Sequence, residues 1–179
     1  MKDTKQLVLF KEISGKKVEV EFDGGEMSSD AGLLFLRELE SELGVIGRVA
    51  DVVRDRRHAG YVKHELLELT TQRVFQIAAG YEDGNDCNEL RNDPVMKMAC
   101  ERLPITGSAL ASQPTMSRFE NAISRTDLYR IASAFLDVFI DSYQTAPEAI
   151  ILDFDETADP THGNQQLTLF NAFHDTYCY

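Results

Sequence analysis

The feature that most constrains the fold is an apolar run, residues 149–152, that leads directly into two aspartates. The run reads Ala-Ile-Ile-Leu, which is typical of a strand buried on both faces, and Asp153 and Asp155 follow it. Because strand side chains alternate between two faces, both aspartates are expected to point the same way. Such carboxylates suit Mg²⁺, which prefers oxygen ligands. The sequence therefore predicts a strand at 149–155 that presents two acids.

Three chemical interpretations of this acidic segment remain open on the residues alone. It could be a polar turn, since aspartates are frequent in turns. The Asp-x-Asp-x-Thr pattern also resembles haloacid dehalogenase-like phosphatases, in which Asp153 would attack phosphorus and Asp155 would act as acid and base. Alternatively, the acids lie beside metal ions that clamp the attacking and leaving oxygens of a phosphodiester. The phosphatase motif comes early in its fold, and its late position in these 179 residues favours the metal site.

Composition limits where the chain works and what it binds. No apolar run is long enough to span a membrane and no signal region follows Met1, so we expect a cytoplasmic protein without a membrane partner. Three cysteines, Cys87, Cys100 and Cys178, are predicted to be free thiols. The formal net charge of −12 argues against general affinity for nucleic acid. Any contact with DNA must then come from a local basic patch.

Hydrophobic periodicity predicts an α+β fold in three parts. Residues 6–13 and 17–22 are predicted to pair as an N-terminal β-hairpin. A mainly helical region follows, with its longest amphipathic stretch at 61–80 and a later helix capped by Thr126. Residues 166–179 have the composition of a further strand region. The predicted boundaries are 1–27 for the hairpin, 28–146 for the helical region and 147–179 for the last part.

Two segments of the helical region carry candidate DNA-contacting side chains. One is the densest basic cluster in the chain, interrupted by Asp55, and its alternative interpretation is a solvated connector. The other, residues 110–124, is compatible with the second half of a helix-turn-helix or with an ordinary capped helix. Its side chains can hydrogen-bond to bases and phosphates. The candidates are Arg54, Arg56, Arg57, Lys63, Ser112, Gln113, Thr115, Ser117 and Arg118.

A series of motifs resembles bacterial insertion-sequence transposases of the DDE group 1 type. The series begins with Asp-Gly-Gly-Glu-Met-Ser-Ser-Asp-Ala-Gly at 23–32 and continues with Arg-Asp-Arg-Arg at 54–57. Further matching runs lie at 72–86, 90–94, 110–121 and 152–163. Together they cover the chain from about residue 20 to its end, in the order that the family has them.

The resemblance implies an RNase H-like core, starting at 147–179, that binds two Mg²⁺ or Mn²⁺ ions. It implies a protein that binds double-stranded DNA at transposon ends and cuts and joins it. Asp155, in the Asp-x-Thr form, would be the first catalytic acid and a metal ligand, with Asp153 as the alternative catalytic acid or as its partner. The family's other two acids are expected beyond Tyr179, which would leave the core truncated.

Two further expectations follow from a truncated core. The alternative function is a non-catalytic DNA-binding or regulatory remnant. Strands that lack their usual neighbours also predict self-association, since unpaired edges pair with other chains.

Overall fold

A computed structural model of the protein describes residues 8–20, 29–154, 158–161 and 168–178. The chain forms two compact units, Met1–Ser142 and Tyr143–Tyr179. The described residues contain seven α-helices and two sheets of two antiparallel strands each. The α+β class is therefore confirmed, whereas the RNase H-like core and the three domain boundaries stay predictions.

The N-terminal hairpin pairs β1 (Val8–Ile13) with β2 (Lys16–Val20) in antiparallel register. Ser14 and Gly15 connect the strands with φ angles of 49° and 71°, the left-handed pair that a tight two-residue hairpin turn requires. Phe10 is buried and its ring meets that of Phe35 edge to face, with the ring centroids 5.6 Å apart. The hairpin thus packs on the helical part of the first unit.

Seven helices make up the rest of the first unit. The bounds are α1 (Leu33–Leu43), α2 (Val45–Val52), α3 (Leu66–Ala78), α4 (Cys87–Leu90), α5 (Pro94–Ala99), α6 (Gln113–Ala122) and α7 (Arg125–Asp141). The helix predicted at 61–80 begins later than expected because residues 59–61 form a separate 3₁₀ turn. There the His58 ring accepts a hydrogen bond from the Gly60 amide, which fixes the turn.

The main core lies between α1, α3 and α5. Its fully buried members include Leu34, Met96 and Leu110, and Phe75 is 3% exposed. A smaller cluster joins α3 to α6 through Leu69, Cys87, Ala111 and Met116. All three cysteines are free thiols, as predicted. No helix in the described part of the chain is long and apolar enough to cross a bilayer.

Gly44 joins α1 to α2 in a left-handed conformation, with φ 64° and ψ 29°. Its amide donates to the Glu40 carbonyl, which closes the end of α1. Because any side chain is strained there, we expect Gly44→Ala to lower the free energy of unfolding by about 1 kcal/mol. Urea denaturation measures the loss. Gly47→Ala is the control, because Gly47 lies within α2 where alanine is favoured; an equal loss there would contradict the assignment.

The second unit contains a short antiparallel hairpin of β3 (Leu169–Asn171) and β4 (Thr176–Cys178). The strand predicted at 149–155 is wrong over residues 149–154, which form no strand. Ile151 is 95% exposed and Phe154 88% exposed. The physical reason is that an apolar run becomes a strand only where neighbours accept its backbone hydrogen bonds, and no described strand pairs with it. Asp155 lies outside the described residues.

Candidate nucleic-acid interface

A cavity of about 210 Å³ lies between the connector after α2 and helix α6. Its apolar lining includes the buried Leu69 and the half-buried Phe119. Five of the nine candidate DNA-contacting residues line it, although the two segments that supply them are far apart in sequence. These five are Arg54, Arg56, Arg57, Thr115 and Arg118.

Helix α6 is held against α3 by a buried amide. Gln72 Nε2 donates to the Ala111 carbonyl at 3.0 Å, and the Ala111 amide donates to Gln72 Oε1 at 2.9 Å. Both residues are fully buried, so this pair satisfies two backbone groups that water cannot reach. Ser112 then takes the extended cap position and Pro114 stands in the first turn of α6. The face of α6 that carries Thr115 and Arg118 is thereby fixed.

The connector is tied to the turn between α6 and α7 by Arg56. Its Nη1 donates to the Ala122 carbonyl at 3.3 Å. Its Nη2 donates to Ser124 Oγ at 3.1 Å and to Asp127 Oδ2 at 3.2 Å. Asp127 is fully buried and completes a capping box with Ser124 at the start of α7. Arg56 therefore stabilises the wall of the cavity, and these hydrogen bonds occupy much of its guanidinium group.

Arg57 is satisfied within its own segment. It forms a two-point pair with Asp55, through Nε to Oδ1 at 2.8 Å and Nη2 to Oδ2 at 2.6 Å. Its Nη1 donates to the His64 carbonyl at 2.7 Å. The hydrogen bond from Arg57 lowers the pKa of the Asp55 carboxyl, and Asp55 in turn raises the pKa of Arg57. This ion pair orders the connector. It leaves the Arg57 guanidinium few N–H donors with which to bind a phosphate.

Arg54 and Arg118 are exposed, and among the described residues they make the fewest side-chain hydrogen bonds of the four arginines that line the cavity. Within the described residues the Arg54 guanidinium has no hydrogen-bond partner. The Arg118 side chain makes one long hydrogen bond to the described part of the chain, from Nη2 to Thr115 Oγ1 at 3.4 Å. Both guanidinium groups thus keep donors free for an anionic ligand, and guanidinium geometry matches phosphate oxygens.

The other candidates lie elsewhere. Lys63 is exposed and lines a separate cavity of about 580 Å³ that also contains Arg37 and Arg102. Ser112, Gln113 and Ser117 lie at the start of α6 or along it without lining the cavity beside Arg54. Their roles in DNA binding stay predictions.

Sequence reasoning missed Ser124 and Asp127. The helix predicted to be capped by Thr126 is capped by Ser124 instead, whose side chain accepts from the Asp127 amide. The signal was present, because Ser-x-x-Asp at 124–127 is a capping-box pattern. Threonine is also a common cap, but serine is the stronger one, and only Ser124 has an acidic residue three positions later.

Asp127 gives the helical unit a pH-dependent contribution to stability. The Ser124 hydroxyl, and then the Ser124 amide, lower the pKa of Asp127 from 3.8 to about 2. The contribution is fully present above pH 4 and is lost as the pH falls through the folded-state pKa. We expect Asp127→Asn to be less stable than wild type at pH 6, with the gap closing between pH 4 and pH 2. Urea denaturation across this range measures it; a pH-independent gap would contradict the ionised cap.

The acidic segment in the second unit is described only in part. The Asp153 carboxylate is exposed, so its oxygens are accessible to a hard cation. The described residues contain no group of three or more His, Cys, Asp or Glu side chains that could hold a metal. The donor chemistry of Asp153 fits Mg²⁺ or Mn²⁺, and Asp155, the predicted ligand, lies outside the described residues.

Comparison with known protein families identifies the class of the chain. The model of the family Transposase DDE domain group 1 matches residues 10–179. The match spans the hairpin, the helical unit and the acidic segment, and the chain belongs to this family. We found no significant match among curated proteins or among solved structures.

Proposed function

We propose that the chain acts in DNA transposition by binding double-stranded DNA at transposon ends with the surface around the 210 Å³ cavity. The observation that carries the proposal is the convergence of Arg54 and Arg118 on one cavity. In a chain of net charge −12 this is the local basic surface that DNA binding requires. The family match supports transposition as the process that the binding serves.

The cavity surface offers both kinds of contact that a DNA site needs. Exposed guanidinium groups bind phosphate oxygens and set the position of the protein on the duplex. Thr115 in the cavity lining, and Gln113 and Ser117 on α6 outside that lining, can hydrogen-bond to base edges or phosphates. The intrachain bonds of Arg56 and Arg57 make these two residues the support of the surface rather than its main contacts.

We further propose that residues 147–179 begin an RNase H-like core in which Asp155, with Asp153 beside it, holds Mg²⁺ or Mn²⁺. A bound ion there would stabilise the charge that develops on the phosphodiester oxygens during strand cleavage and joining. Carboxylate oxygens are the appropriate ligands for either ion. The family match supports this interpretation over the phosphatase, because it covers the whole acidic segment.

The experiment uses duplexes tiled across the genomic DNA on both sides of the coding sequence. Fluorescence anisotropy measures binding of each duplex by the 179-residue chain. We expect one or two duplexes to bind at least tenfold tighter than scrambled duplexes of equal length and composition. Equal affinity for all duplexes, or no binding, would contradict end recognition.

A cleavage assay separates the two functions that the family allows. The best-binding duplex is incubated with the chain and with Mg²⁺ or Mn²⁺, and the products are resolved on denaturing gels. Cleavage that Asp155→Asn abolishes, without loss of binding, supports the metal-dependent enzyme. End-specific binding without cleavage supports the non-catalytic regulator instead.

A further inference from the structure

We infer that Asp127 is a positioning residue for DNA binding: it holds the connector 53–57 so that Arg54 and Arg118 face the same duplex. The inference rests on the proposed function, because it assigns a support to that same surface. Asp127 cannot touch DNA itself, since its side chain is 1% exposed. Any effect of Asp127 on binding therefore acts through the residues that it holds or through the field of its charge.

The contacts of Asp127 join three parts of the helical unit. Its Oδ2 accepts from the Ser124 amide at 3.0 Å and from the Ser124 hydroxyl, which fixes the start of α7. The same oxygen accepts from Arg56 Nη2 at 3.2 Å, and the nearby Arg54 backbone is a minor cause of the lowered pKa of Asp127. Its Oδ1 accepts from Arg130 Nη1 at 3.2 Å. One carboxylate thus holds Arg56, and through Arg56 it holds the connector that also carries Arg54.

The consequence for Arg54 is geometric. Val53 takes an extended conformation at the end of α2, and the chain from there to Arg57 has no regular structure of its own. The Arg56 bonds to Asp127 and to the Ala122 carbonyl keep this segment beside α6. Without them, Arg54 loses its fixed place relative to Arg118, and ordering it on DNA costs conformational entropy.

This role predicts a sign opposite to simple electrostatics. Removal of a negative charge near a phosphate-binding surface should strengthen DNA binding, because repulsion falls. If Asp127 positions Arg54, its neutralisation weakens binding instead. The two accounts can therefore be distinguished by the direction of the change.

The test measures affinity for a mixed-sequence 25-base-pair duplex by anisotropy at several salt concentrations. We expect Asp127→Asn to weaken binding roughly tenfold and to lower the salt slope by about one, which is the change for one lost phosphate contact. Arg54→Ala should then cost little more in the Asp127→Asn background. Affinity equal to or tighter than wild type would overturn the inference.

Two controls keep a loss of fold apart from a loss of positioning. Asp137→Asn removes the same charge from the same helix at an exposed site and should leave affinity unchanged or slightly tighter. Ala134→Gly weakens α7 at a buried position without touching the Asp127 contacts, and should leave the salt slope unchanged. A loss of slope in either control matching that of Asp127→Asn would overturn the inference.

Two further outcomes are decisive. If Asp127→Asn does not fold, Ser124→Ala takes its place in the test. This variant keeps the Asp127 charge but removes the hydroxyl that hydrogen-bonds to both Asp127 and Arg56. We expect it to weaken DNA binding about threefold. Unchanged binding by Ser124→Ala would overturn the inference. Failure of the wild-type chain to bind any duplex would overturn the proposed function, and the inference with it.

Discussion

Replacement of both Arg54 and Arg118 by alanine is expected to weaken binding to a transposon-end duplex by roughly 100-fold. Each arginine that contacts phosphate contributes roughly tenfold, and the two losses should add because no bond joins the two side chains. The slope of log affinity against log salt should fall by about two. Both arginines are exposed, so the fold should be kept. Anisotropy titrations from 50 to 200 mM salt measure both quantities.

The matched control removes the same charge elsewhere on the same unit. Arg125 is exposed at the start of α7, and Arg48 is 42% exposed and pairs with Asp141. Neither residue lines the cavity. The pair Arg48→Ala with Arg125→Ala should change affinity less than threefold. A loss equal to that of the cavity pair would mean that binding follows net charge alone, which contradicts a defined surface.

Gln72→Leu is expected to lower the free energy of unfolding by about 3 kcal/mol, the largest effect on stability of any single change considered. Leucine is close to glutamine in volume but leaves the amide and the carbonyl of the fully buried Ala111 without a partner. A buried backbone group without its hydrogen bond costs about 1–3 kcal/mol. Urea denaturation followed by circular dichroism measures the loss.

Gln76→Leu provides the control one turn further along α3. Gln76 is also fully buried, but its Nε2 has no hydrogen-bond partner in the described part of the chain, and its Oε1 accepts only from Cys87 Sγ at 3.2 Å. Its replacement should change stability by less than about 1 kcal/mol. Equal losses at both positions would show that burial, and not the bonds to Ala111, sets the cost.

Local sequence signals predicted most of the helical unit. The periodicity of α3 and α7 was sufficient to predict these two helices, although their starts were misplaced, because their apolar residues recur at helical spacing. The hairpin followed from the alternation in β2 and from Gly15 in its turn. The family was also recognisable from ordered motifs, and the match over residues 10–179 confirms it.

The acidic segment shows where local signals are insufficient. Residues 149–152 have the composition of a buried strand, yet they are exposed and form no strand. Strand formation depends on partners whose backbone completes the ladder, and composition alone does not supply them. The hydrophobicity of the run is set by its own residues, whereas its secondary structure depends on whether neighbouring strands pair with it.

The candidate site depended on long-range bonds that no local pattern contains. Arg54 and Arg118 share a cavity because Gln72 binds Ala111 and because Arg56 reaches Asp127. Each bond joins residues that are dozens of positions apart in sequence. The sequence was sufficient to predict which residue types could bind DNA. That Arg54 and Arg118 lie at the same cavity could be seen only in the structure.

Hydrogen–deuterium exchange of the chain with and without its best-binding duplex tests the central claim most directly. DNA is expected to slow exchange chiefly in the connector 53–57 and at 112–123, with little change in β1 and β2. The same protection should be absent from the Arg54→Ala, Arg118→Ala double variant at equal duplex concentration. Protection that avoids both segments, and that falls instead on the hairpin or another surface, would contradict the account.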